Sequence, residues 1–146
     1  MLRKILTTLV FVTVILYLSS CGGTKKPDGL PDLYPCRIVV TVNEAPLEGA
    51  LVSLSGNDGR WPGNGFTDQQ GIAVIRTRGQ FVGVAEGTYK VTVSKVLPPP
   101  PTGKDEGSTK EPKQLINSKY TTPETTPLEC VVKSGTNNFE FKVEVP

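Results

Sequence analysis

Three cysteines, Cys21, Cys36 and Cys130, carry the strongest covalent chemistry in this chain of 146 residues, and no histidine stands ready to activate them. Without histidine, Ser-His-Asp and Cys-His catalysis, His-ligated zinc and the two-His-one-carboxylate iron site are all excluded. The carboxylates Glu44, Glu48, Asp68 and Glu86 each sit beside a turn, and no pair has a spacing that sets it across a common cleft. General acid–base work needs such convergence, so the chain is expected not to be an enzyme. Asn57, Asp58, Asn64 and Asp68 could offer oxygen ligands to Ca²⁺, but their spacing departs from the EF-hand loop, and Asn and Asp recur in turns for other reasons. No metal and no cofactor is expected. Trp61 lies in the run Asn57-Asp58-Gly59-Arg60-Trp61-Pro62-Gly63-Asn64-Gly65. A loop-borne indole can stack on a sugar ring while Asn57, Asp58 and Asn64 bind its hydroxyls. The plainer expectation is a tryptophan that covers one end of a core.

Cys21 ends a distinctive N-terminal stretch. Arg3 and Lys4 precede an uncharged run, Ile5 to Leu18, followed by the small residues Ser19 and Ser20. That order is the order of a secretory signal. Fourteen residues rise about 21 Å as a helix, short of the roughly 30 Å hydrocarbon core, so a permanent span is disfavoured. Leu18-Ser19-Ser20-Cys21 resembles the lipobox of bacterial lipoproteins. The resemblance implies a signal peptide over residues 1–20 and acyl chains, palmitate among them, attached at Cys21. The chain would then be exported and held to the membrane of the cell envelope by those chains. Each buried CH₂ adds about 0.8 kcal/mol, and more than one chain makes the anchoring stable. Gly22 in place of Asp after the cysteine points, on the same resemblance, to the outer membrane. An ordinary signal peptide that leaves Cys21 near the mature terminus is the alternative.

Residues 21–33 are polar, bear Gly and Pro, and lack periodicity, as a flexible tether does. Period-2 alternation begins at Cys36, with Ile38, Val40 and Val42 on the same face and Arg37, Val39 and Thr41 opposite. A turn follows at Asn43–Pro46, and Ala50–Ser55 is a second short strand. Ser55–Gly65 is expected as a long loop. Phe66–Thr77 is expected as a third strand region broken by Thr67–Gly71, with Ile72–Ile75 as an apolar run covered on both sides. Tyr89, Val91 and Val93 face inward in Thr88–Val96. Pro98–Pro101 cannot join a central strand, so a Pro-rich loop spans residues 97–114. Leu128, Cys130 and Val132 alternate with polar neighbours. So do Phe139, Phe141, Val143 and Val145. No ten-residue stretch after the leader keeps a helical period. Residues 34–146 therefore read as an all-β sandwich of about seven short strands.

Lys and Arg number 16 against 14 Asp and Glu, and removal of Arg3 and Lys4 with the leader leaves 14 against 14. That balance offers no footprint for nucleic acid. Gly 15 and Pro 13 make the chain rich in turns but below the level of disorder. Pro46-Leu47-Glu48-Gly49-Ala50-Leu51-Val52, then Thr67-Asp68-Gln69-Gln70-Gly71, then Gly87-Thr88-Tyr89-Lys90-Val91-Thr92-Val93 together resemble carboxypeptidase regulatory-like domains. These are transthyretin-like, Ig-like β-sandwiches. The resemblance covers roughly Tyr34 to Val145, leaves the Pro-rich insertion unmatched, and implies fold far more than activity. In adhesin-type domains of this kind a Lys–Asn isopeptide often joins the first and last strands. Arg37 stands where this chain would need that lysine.

Cys36 and Cys130 share the inward parity of their strands. In an oxidising compartment they are expected to form a disulfide, whose closure of a loop of nearly a hundred residues would stabilise the fold by about 4–5 kcal/mol. Two buried free thiols are the alternative. The expected function is a membrane-anchored, non-catalytic envelope lipoprotein with an adhesive or structural role, contacting envelope proteins or polysaccharide. The alternative is a carbohydrate-binding module built on loop 56–65 around Trp61.

Overall fold

The computed structural model of the chain describes residues 26–56, 59–97 and 113–146. The expected signal peptide, Cys21, Asn57, Asp58 and Pro98–Pro101 lie outside the described residues. The chain divides after Leu30, and Pro31–Pro146 forms a compact unit of its own. That unit is all-β and forms a sandwich. Its strands begin with β1 (Cys36–Val42), β2 (Ala45–Pro46), β3 (Leu51–Gly56) and β4 (Gly63–Phe66). Next come β5 (Ile72–Val74), β6 (Arg76–Thr77), β7 (Phe81–Val82) and β8 (Gly87–Ser94). The described residues end with β9 (Val96–Leu97), β10 (Lys113–Gln114), β11 (Glu129–Val132) and β12 (Asn137–Val143), with one 3₁₀ turn at Ser118–Tyr120.

Two sheets enclose the core. The first has β1 at its centre, paired in parallel with β12 on one side and antiparallel with β2 and β5 on the other. The second runs β11-β8-β3-β4-β6-β7. A separate ribbon pairs β9 with β10. Alternation explains the inner faces. Cys36, Ile38 and Val40 are buried while Arg37 is exposed, and Val52 and Leu54 of β3 meet Val91 and Val93 of β8 in the same core. Each such side chain taken fully out of water contributes about 1.5–3 kcal/mol. Tyr89 is buried too, and its hydroxyl donates to the Ala85 carbonyl at 2.9 Å, which supplies the partner a buried phenol needs. The β1–β2 turn is tight: Asn43 and Glu44 both take positive φ, 48° and 66°, the geometry of a two-residue hairpin.

Several sequence expectations change. More than seven strands form among the described residues because single runs split. Gly63–Gly65 belongs to β4 rather than to a loop, and the stem of the Pro-rich loop is the β9–β10 ribbon. The Ile72–Ile75 run is not covered on both sides. Ala73 and Ile75 are fully buried, but Val74 is 42% exposed. The reason is a crossover. β5 pairs with β1 in the first sheet and β6 with β4 in the second, so the chain changes sheets at Ile75. Ile75 fills the corner, donating its N–H to the Cys36 carbonyl at 3.0 Å and accepting the Gly83 N–H at 2.9 Å. Val145 lies beyond β12 and is 49% exposed instead of inward.

The expected disulfide between Cys36 and Cys130 is absent, and both are buried free thiols not at bonding distance. They stand on β1 of one sheet and β11 of the other. Shared inward parity puts both thiols in one core, but a disulfide also needs Cα atoms about 4.4–6.8 Å apart with facing Cβ vectors, and these two positions do not meet that geometry. Burial pushes the Cys36 thiol up to about 11. It pushes Cys130 up to about 12, with the charges of Cys36 and Glu129 adding to the effect. Both remain protonated at neutral pH.

Candidate partner-binding groove

The turn from β4 to β5 is held by two side chains. Asp68 folds over its own turn: Oδ1 accepts the N–H groups of Gln70 and Ile72, each at 2.9 Å. Gly71 takes φ 73°, and a Cβ there would stand 2.6 Å from the Val40 carbonyl oxygen, so only glycine fits. Thr67 is buried, and its hydroxyl accepts the Ala50 N–H at 2.8 Å and donates to the Leu47 carbonyl. The turn is thereby pinned to the chain entering β3.

Beside that turn the outer surfaces of the two sheets meet. A Cβ on Gly65 would come within 2.6 Å of the Val74 carbonyl oxygen, so the β4 and β5 backbones are nearly in contact. Gly65 makes this approach possible, Gly63 leaves room for the Val84 and Ile75 side chains, and the alternate residues, Asn64 and Phe66, point outward. The result is an open groove of about 460 Å³. Phe66, Ile72 and Val74 supply its apolar wall, and Asn64, Asp68 and Arg76 its polar rim. Phe66 is 71% exposed, the most exposed large apolar side chain among the described residues. Neither Asp68 nor Arg76 has an ion-pair partner among the described residues.

The sequence candidates distribute unevenly around this site. Asn64 lines the groove; Trp61 does not. Trp61 is half-buried, and the Arg78 guanidinium carbon sits 4.6 Å from its ring centroid, a cation–π stack that covers one face. Arg78 reaches there from a strained turn with φ 53° before Gly79. Trp61 is also outside the packed core, so it does not close the end of the sandwich as expected. The carboxylates stay apart in role: Glu86 Oε1 accepts the Ser134 N–H at 2.6 Å, and Glu44 and Glu48 are exposed at separate turns. Among the described residues no group of three or more His, Cys, Asp or Glu is placed to hold a metal.

Phe66, Ile72, Val74 and Arg76 were not singled out as site residues from the sequence. The signal that could have found them is the Gly-Asn-Gly-Phe alternation, since glycine at every second strand position marks a close backbone approach and frees its neighbours to face solvent. No protein-family model, curated protein or solved structure matches this chain.

Proposed function

We propose that the chain is a non-catalytic lipoprotein of the bacterial cell envelope, a carboxypeptidase regulatory-like sandwich tethered by acyl chains on Cys21, at the outer membrane. Its task is adhesive or structural: it holds an envelope protein against its surface. The anchor rests on the Leu18–Cys21 pattern and the apolar leader. The binding role rests on one observation above the others, the 71% exposed Phe66 set in a formed groove beside Val74. A solvent-facing phenylalanine braced by a buried threonine and an Asx turn gains nothing for the fold, and apolar surface rimmed by polar groups is characteristic of contact sites. The sugar-binding reading through Trp61 has less support, because Arg78 already occupies one face of the indole.

The test is photo-cross-linking in the native host from a probe at Asn64. A discrete protein adduct is expected, and Phe66→Ser should abolish it while circular dichroism stays unchanged. An adduct pattern indifferent to Phe66→Ser, or no adduct at all, overturns the binding role.

A further inference from the structure

Among the described residues β12 has a strand partner on one side only. The Asn137 N–H donates to the Pro35 carbonyl at 2.9 Å, which fixes the parity of the strand. Main-chain groups of alternate residues point to alternate sides. Asn137, Phe139, Phe141 and Val143 therefore turn theirs toward β1, and Asn138, Glu140 and Lys142 turn theirs to the open side. The Asn117 N–H takes the Glu144 carbonyl at 2.8 Å on that side, which closes the end of the edge. The stretch from Asn138 to Lys142 has no strand across from it among the described residues.

Side chains along this edge are arranged in a self-complementary order. On the inner face Phe139 and Phe141 stack with centroids 6.5 Å apart and planes 16° apart, yet both are only half-buried, with no strand beyond them among the described residues. On the outer face Glu140 and Lys142 are exposed and alternate in sign. We propose that β12 pairs antiparallel with β12 of a second copy of this chain, about a two-fold axis at Phe141, joining two first sheets into one.

In that register Glu140 lies opposite Lys142 of the second copy, and Lys142 opposite its Glu140. Each pair exchanges both main-chain hydrogen bonds across the axis. Phe141 lies opposite Phe141, and Phe139 opposite Val143, which covers the half-buried aromatic pair. Charge selects this register over its neighbours. A shift of two residues one way sets Glu140 against Glu140; a shift the other way sets Lys142 against Lys142 and Glu140 against Glu144. Shifts by one residue oppose main-chain groups that point in different directions. The symmetry is isologous, so the contact closes at two and does not propagate into a fibre. Because Asn117 caps one end, the ladder is short and the association weak and concentration-dependent.

The test is sedimentation equilibrium of the full chain in density-matched detergent, from about 10 µM to about 1 mM. The expected mass rises with loading toward two chains. Glu140→Lys and Lys142→Glu should each weaken association by about tenfold, since both cross-axis pairs become like-charged. The double exchange E140K/K142E should restore it to within about threefold, because the pairs are remade with signs reversed. Phe66→Ser should leave it unchanged, which separates this contact from the groove. A single-chain mass at every loading overturns the proposal. So does association that ignores the single reversals, or a double exchange no better than either one.

Discussion

Thr67→Val removes one oxygen from a site where the structure gives that oxygen two buried main-chain partners. The hydroxyl accepts the Ala50 N–H at 2.8 Å and donates to the Leu47 carbonyl, and Thr67 and Ala50 are both buried. Valine matches threonine in shape, so packing is retained and the change isolates the hydrogen bonds. Leaving a buried N–H and a buried C=O unpaired costs about 1–3 kcal/mol each, or about 2–6 kcal/mol in all. Against a total stability of about 5–15 kcal/mol this is a large loss. Each kcal/mol lowers the Tm of a domain of this size by about 4 °C. Thr67→Ser is the control: it keeps the oxygen, gives up one methyl, and should cost about 1 kcal/mol or less. Urea unfolding followed by circular dichroism reads both, with an unchanged m-value showing that stability alone has moved. If Thr67→Val fell within about 0.5 kcal/mol of the unsubstituted chain, or if serine proved as damaging as valine, the pinning of the groove turn by this hydroxyl would be refuted.

Three further outcomes follow from the geometry. The denatured, unreduced sandwich should titrate two free thiols at Cys36 and Cys130, while the native protein resists alkylation at neutral pH; two unreactive positions after denaturation would restore the disulfide. Both thiols are raised in the folded state, to about 11 and about 12 from 9.0, so the unfolded chain releases these protons first as pH climbs. The stability they contribute is whole below pH 9 and is lost between about 9 and 12, by up to roughly 1.4 kcal/mol per pH unit for each thiol, and Cys36→Ala/Cys130→Ala should flatten that decline in alkaline urea titrations. Gly65→Ala should destabilise the fold by about 1–3 kcal/mol, since its Cβ meets the rigid Val74 carbonyl rather than a yielding side chain, and an unchanged unfolding midpoint would show the two backbones are free to part.

Where residues alternate by two, the sequence was sufficient. Cys36–Val42, Gly87–Ser94 and Glu129–Val132 formed on the expected faces, because a single register decides which side chains leave water. The break at Thr67–Gly71 was legible for the same local reason, and Asp68 and Gly71 form that turn. Apart from Val145, where the alternation runs past the end of β12, the misses are non-local. Ile72–Ile75 read as a doubly covered strand because four apolar residues look alike until the change of sheet at Ile75 is known. Cys36 and Cys130 share inward parity, but parity gives no distance across a core. Trp61 drew attention through its composition and its polar neighbours. Its face is taken by Arg78, which arrives from a different hairpin. Phe66 drew none, although Gly65 beside it marks where two backbones must touch and Gly63 where core side chains press on the strand.

The anchor is the premise on which display of this sandwich depends, and intact mass with fragmentation of the mature protein, isolated from native membranes, addresses it directly. The account predicts that the chain begins at Cys21 and carries acyl mass on that residue alone. A bare thiol at Cys21, or a first residue anywhere else, would contradict it.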